Sequence, residues 1–153
     1  MTRRCFLTLA ACTLARAAAV DPLVGKWLLK SQQVSGQETP SRPLTLEIRA
    51  VGDALEFEYS VTVNQKQEIS LRFAARMDGS DAEVKNAEGR KIGTAKVSHF
   101  GPLQYLVMLE GPNRPTSSGR MTLSKDGKTL TSEADAAMPG GAKAHTTQVF
   151  ERQ

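Results

Sequence analysis

The sequence predicts an all-β fold, an antiparallel sandwich or barrel of about eight to ten strands, on three observations. From Leu23 onward apolar residues recur at every second position, turn-forming residues interrupt them about every eight to twelve positions, and no long helical period competes. The length of 153 residues fits one domain. A mature segment of roughly 135 residues buries about two thirds of its unfolded surface, enough for a core without metal or disulfide.

The elements follow in order. Residues 1–19 stand apart as an export signal. Basic Arg3 and Arg4 precede an apolar stretch from Phe6 to Ala15 and an alanine-rich end. The apolar stretch is too short for a bilayer anchor. Arg3-Arg4-Cys5-Phe6-Leu7 is similar to the twin-arginine export motif, with general secretion as the other route. Ala15-Arg16-Ala17 and Ala17-Ala18-Ala19 both suit signal cleavage, so residues 20–153 form the expected mature domain. Leu9-Ala10-Ala11-Cys12 is similar to a lipoprotein box and offers membrane anchoring through Cys12 as a minor alternative. On simple cleavage both cysteines, Cys5 and Cys12, leave with the signal, and the mature chain has no thiol or disulfide chemistry.

A first strand carries Gly25-Lys26-Trp27, and the polar run 31–43, with Pro40 and Pro43, reads as a long connection. Leu44, Leu46, Ile48 and Ala50 then alternate with polar residues up to a turn at Gly52-Asp53. Leu55, Phe57, Tyr59, Val61 and Val63 form the clearest half-buried strand, with Glu56, Glu58, Ser60 and Thr62 on the other face. A turn at Asn64-Gln65-Lys66 leads to Ile69, Leu71, Phe73 and Ala75, closed by the hairpin dipeptide Asp78-Gly79. Residues 82–87 and 91–98 give two weaker strands, and Leu103–Glu110 a firmer one. Gly111-Pro112-Asn113-Arg114-Pro115 reads as a loop because its prolines deny ladder donors. Gly119–Ser124, Lys128–Asp135 and Ala144–Arg152 complete about ten strands.

Charge names no partner. The whole chain holds 20 basic and 16 acidic residues for a net +4, but Arg3, Arg4 and Arg16 lie in the export segment, and the remaining chain is 17 against 16. The basic balance therefore belongs to the address label, and a nucleic-acid partner is not expected. The mature aromatics fall mostly on inward faces, which leaves no stacking platform. His99 and His145 are the only histidines, neither stands in a spaced ligand motif, and no metal or cofactor is implied. His99 reads as a turn or surface residue, and a haem-ligand role for His145 lacks a second cue. Glu56 and Glu58 share a strand face at a spacing that could mimic a glycosidase pair, but that face is polar and reads as solvated surface. Nucleophile elbow, phosphate loop and dinucleotide fingerprint are all missing, so no catalytic residues are assigned.

Two short motifs at the ends carry a resemblance. Gly25-Lys26-Trp27 resembles the Gly-x-Trp opening of the lipocalin and fatty-acid-binding (calycin-type) superfamily, and Val149-Phe150-Glu151-Arg152 its closing strand. With Asp126-Gly127-Lys128-Thr129-Leu130-Thr131, the frame also looks like a group of small secreted bacterial lipocalin-like proteins. The resemblance implies a single up-and-down barrel in which Trp27 plugs one end and Arg152 packs across its face, with Gly25, Trp27 and Arg152 as fold markers. The helix-turn-helix lid of fatty-acid-binding proteins and the Thr-Asp-Tyr motif of classical lipocalins have no counterpart here.

Three functions follow as expectations. An exported, periplasmic or extracellular barrel could hold a small apolar ligand, with Phe57, Tyr59, Phe73, Tyr105 and Val107 lining the cavity. An enclosed cavity above about 300 Å³ would favour this, whereas complete filling by those side chains would oppose it. A non-enzymatic interaction or inhibitor module would instead use Leu106 and Met108, which project from the opposite face of the Tyr105 strand unless residues 31–43 cover them. A barrel enzyme is the weakest reading and would require a histidine buried beside a carboxylate.

Overall fold

The computed structural model describes residues 20–40, 42–112 and 114–153. The export segment, with Cys5 and Cys12, lies outside the described residues. Eleven strands run in order: β1 (Gly25–Val34), β2 (Gln37–Glu38), β3 (Leu44–Val51), β4 (Ala54–Val63), β5 (Lys66–Ala75), β6 (Ala82–Lys85), β7 (Lys91–Gly101), β8 (Gln104–Gly111), β9 (Arg114–Leu123), β10 (Thr129–Ala137) and β11 (Lys143–Arg152). Among the described residues there is no helix. From β3 to β11 each strand pairs antiparallel with its chain neighbour, β1 pairs with β3, and β11 returns to β1 from Trp27↔Arg152 to Val34↔Thr146. This is a closed barrel of ten strands with β2 as a two-residue addition to β1. Closure pairs the strands on both sides everywhere but at one seam. The thinnest seam lies between β5 and β6, where Arg72↔Lys85 is the one paired position.

Alternation decides what the barrel buries. Trp27, Leu46, Ile48, Phe57, Val97, Tyr105, Leu130 and Phe150 lie on inner faces and are almost wholly removed from water. Each such large side chain stabilises the fold by about 1.5–3 kcal/mol. The Phe57 and Phe73 rings, paired across β4 and β5, stack at 4.9 Å. Leu23, from the segment before β1, closes the Trp27 end and is fully buried. The indole N–H of Trp27 donates to the Leu23 carbonyl at 3.0 Å, which satisfies its one polar atom.

Arg152 holds that end together. Its guanidinium carbon lies 4.2 Å from the Trp27 ring centroid. Nε donates to the Gly127 carbonyl, Nη1 to the Val24 carbonyl and Nη2 to the Pro22 carbonyl, each at 2.7 Å. Three chain segments thus meet on one planar fork. Gly25 is glycine for lack of space, since a Cβ there would collide with Arg152 Nη1.

The turns rest on side chains as well as on glycine. The Asp78 carboxylate accepts from the Ser80 amide and hydroxyl, and Asp126 accepts from the Ser124 hydroxyl and the Lys128 amide. These bonds favour the ionised forms and hold both carboxyls below the usual aspartate range. The β4–β5 turn uses Asn64 and Gln65 at φ 49° and 63°. Positive φ at both central residues is the type I′ pattern, and glutamine is poorly suited to it. Gln65→Gly is expected to raise stability by about 0.5–1 kcal/mol, read as a higher denaturation midpoint at unchanged slope.

Three expectations need correction. Residues 31–34 are not part of a connection: they extend β1 along β11, and the run continues through β2. Polar side chains conceal this strand, because Ser31 and Gln33 belong to its outward face. The loop expected at 111–115 is a tight hairpin, with Gly111↔Arg114 paired and Pro115 already within β9. His99 lies on β7 opposite Tyr105 and not in a turn.

Candidate functional site

Two cavities adjoin the same stretch of β8, β9 and β10, one on each side of the sheet. Inside the barrel, a partly enclosed cavity of about 200 Å³ is bounded by Tyr59, Leu71, Val107, Leu109 and Met121, with Ser117, Gly119, Arg120, Ser132, Ala134 and Gln148 completing the wall. Outside, a groove of about 610 Å³ runs across Leu106, Met108, Ser118, Arg120, Glu133 and Asp135, with Lys96, Ser98 and His145 beside them. Register explains the division. Leu106↔Arg120 and Arg120↔Glu133 share the outer face, whereas Val107↔Gly119 and Gly119↔Ala134 share the inner one. Val107, Gly119, Arg120 and Ala134 line both spaces, and Gly119 among them has no side chain to thicken the wall.

Of the residues expected to line a cavity, Tyr59 and Val107 do so. Phe57, Phe73 and Tyr105 belong to the packed interior instead. The physical reason is stacking: Phe57 and Phe73 fill the space between them, and Tyr105 turns toward the closed end, where its hydroxyl donates to Asp21 at 3.2 Å. Burial first, then the neighbouring Asp21 charge, raises the Tyr105 phenol above its ordinary pKa range. The interior is thus filled over much of its length, and the remaining space is below the 300 Å³ expected of a cavity for a drug-sized ligand.

Tyr59 differs from Tyr105. Burial alone raises its phenol pKa, and no hydrogen bond contributes. No sealed side-chain polar atom lacks a partner among the described residues, and Tyr59 retains accessible surface. Its hydroxyl is therefore not sealed from water, on a residue that lines the cavity. Across the barrel, Gln148 Nε2 donates to Gln32 Oε1 at 2.7 Å, and Gln32 Nε2 donates to Thr39 Oγ1 at 3.2 Å. This chain fixes both amides, and the Gln148 carbonyl oxygen keeps acceptor capacity on a residue that lines the cavity.

Sequence reasoning missed Ser117, Ser132 and Gln148 because hydrophobic alternation cannot mark an inward polar residue. Their register could have marked them: Gln148 stands two residues before Phe150, on the same face of β11, and pairs with Ser132.

Leu106 and Met108 are 40% and 37% exposed, and none of the described residues in 31–43 lines the groove around them. Phe100 is also outside, 58% exposed, with the Arg120 guanidinium 5.2 Å from its ring centroid. Neither histidine is sequestered. His99 Nε2 lies 3.6 Å from Asp21 and its ring is tilted against Tyr105, while His145 Nδ1 lies 2.8 Å from Asp135, both groups half-exposed. Glu56 and Glu58 flank Arg49 at 3.1 and 3.6 Å. That contact occupies them with a cation at the outer surface, where Glu47 also bonds Arg49 and is held below its usual pKa by it. Among the described residues no three His, Cys, Asp or Glu side chains cluster as metal ligands. Nor is any helix long and apolar enough to cross a membrane.

No protein-family model matches the chain, and no curated protein sequence does. Solved structures do resemble it. A secretory abundant heat soluble protein from Ramazzottius varieornatus superposes with a TM-score of 0.61 at 11% identity, covering 88% of this chain and 98% of that one. The zebrafish ileal bile acid-binding protein, complexed with cholic acid, gives 0.54 at 17% identity, covering 86% and 99%. The fatty acid transporter REP1-NXSQ gives 0.56 at 17% identity, covering 88% and 98%. At these identities the likeness is one of fold: the chain shares a closed antiparallel β-barrel with these proteins.

Proposed function

We propose that this barrel is an exported, non-enzymatic carrier of a small apolar molecule held in the cavity bounded by Tyr59, Leu71, Val107 and Leu109. The observation that carries this reading is an internal space of about 200 Å³ with mainly apolar walls in an otherwise packed interior. A dry cavity of about 150 Å³ is known to accept benzene, so the size suits a single ring with a few added atoms. Two of the structural neighbours bear names of lipid-binding barrels, which supports the class of ligand but not its size. The three-zone pattern of residues 1–19 supports a periplasmic or extracellular setting.

The larger outer groove favours a second reading, a protein-interaction module docking at Leu106 and Met108. One experiment separates the two. Toluene titrated into the protein and followed by amide chemical shifts is expected to bind with a Kd on the order of 0.1–1 mM. Ser132→Phe, which fills the lumen, should abolish binding, and Leu106→Glu should leave it unchanged. The opposite pattern would move the site to the outer groove.

A further inference from the structure

Granting that the lumen is the ligand site, we infer that its ligand is uncharged and carries a hydroxyl or N–H donor, and that it is not a carboxylate. Arg120 is the one ionisable cationic residue among those bounding the cavity. Its pairing with exposed Leu106 and Glu133 puts its side chain on the outer face, and its guanidinium rests over Phe100. Arg120 therefore presents only backbone to the lumen. A carboxylate drawn inside would lose its hydration and meet no counter-ion, a penalty that buried charges escape only when paired.

What the wall does offer is neutral. The Tyr59 hydroxyl is unsealed on a residue that bounds the space, and it can donate or accept. One of the two Gln148 amide hydrogens is committed to Gln32, which is itself tied to Thr39, so the amide is held in place with its carbonyl oxygen and one N–H still unspent. The held carbonyl oxygen accepts from a ligand hydroxyl or N–H, and the hydroxyls of Tyr59, Ser117 and Ser132, all on residues of the wall, can rotate to complement the rest. Apolar contact with Leu71, Val107, Leu109 and Met121 would supply most of the affinity, and the polar groups would orient the ligand. A ligand without a donor leaves the Gln148 carbonyl unanswered when it displaces water, the same asymmetry by which polar sites reject analogues lacking a hydroxyl.

Three probes of one size test this: toluene, benzyl alcohol and benzoate, titrated at pH 7 into the mature protein and followed by amide chemical shifts. Benzyl alcohol is expected to bind several-fold more tightly than toluene and about 10-fold or more tightly than benzoate. Tyr59→Phe should narrow the gap between benzyl alcohol and toluene, the Gln148 contact remaining, without weakening toluene, a readout that a merely destabilised barrel would not give. Benzoate binding as tightly as the alcohol would overturn the inference and leave the lumen reading standing. Equal affinity of toluene and the alcohol would overturn the hydrogen-bond donor. If none of the three shifts the lumen amides, the inference and the lumen reading fall together.

Discussion

Arg152→Ala is expected to cost about 3 kcal/mol, a fall in Tm of roughly 10–15 °C. The loss is large because one side chain satisfies three backbone carbonyls, those of Pro22, Val24 and Gly127, at 2.7 Å each. Removing the fork leaves the carbonyls without charged donors and uncovers the Trp27 ring on which the guanidinium rests. A charged donor is worth more than a neutral one, and an acceptor left without a partner costs more than the bond was worth. Leu23, fully buried at the same end, lies between Pro22 and Val24, so the segment that plugs the barrel loses its tie. Arg152→Lys should recover only a small part of the loss, since an ammonium cannot reach three carbonyls in one plane and stack on the indole. Thermal unfolding followed at the Trp27 fluorescence reads the effect directly, Trp27 being the single tryptophan. Full rescue by lysine would mean that charge alone matters at this end and that the fork geometry does not.

Much of the barrel is legible in the sequence for a simple reason. Where one face of a strand is apolar and the other polar, as in Leu55-Phe57-Tyr59 against Glu56-Glu58, period two survives translation into structure. The signal fades where burial is partial. The β1 extension through Gln33 and Val34 carries mixed residues on both faces, so only its pairing with β11 reveals it as strand. The β5–β6 seam and the bulge between Tyr59 and Ser60 are likewise matters of register, which no local pattern encodes.

The candidate site is less legible than the fold. Inward aromatics were expected to line a cavity, but large rings in a ten-strand barrel find one another first, and Phe57 with Phe73 form a packed pair. Space survives instead where inward positions are small or polar, at Gly119, Ala134, Ser117 and Ser132. A cavity is the volume that side chains fail to fill. Residue size at inward positions therefore predicts it better than hydrophobicity does. The outer groove depends on the same strands, because Leu106 and Met108 flank Val107 on the opposite face.

Gly119→Ala tests that account and carries the second large effect, an expected loss of about 2–4 kcal/mol. A Cβ at this position would collide with the Glu133 carbonyl oxygen and lie 2.8 and 2.9 Å from Ala134 Cα and Cβ. Most of these atoms are backbone of the adjoining strand β10, so rotamer changes cannot relieve the clash and β9 must move away from β10. The same methyl would be placed on a residue that lines both spaces, so binding in the lumen should weaken together with stability. Gly52→Ala supplies the comparison. Gly52 has φ 61° with open space around its Cβ position, so alanine there bears only the left-handed backbone cost of about 1 kcal/mol. Chemical denaturation of both variants at matched conditions distinguishes contact from conformation. If Gly119→Ala were no more destabilising than Gly52→Ala, the close approach of β9 to β10 would not be a constraint on the fold, and the thin wall between lumen and groove would lose its explanation.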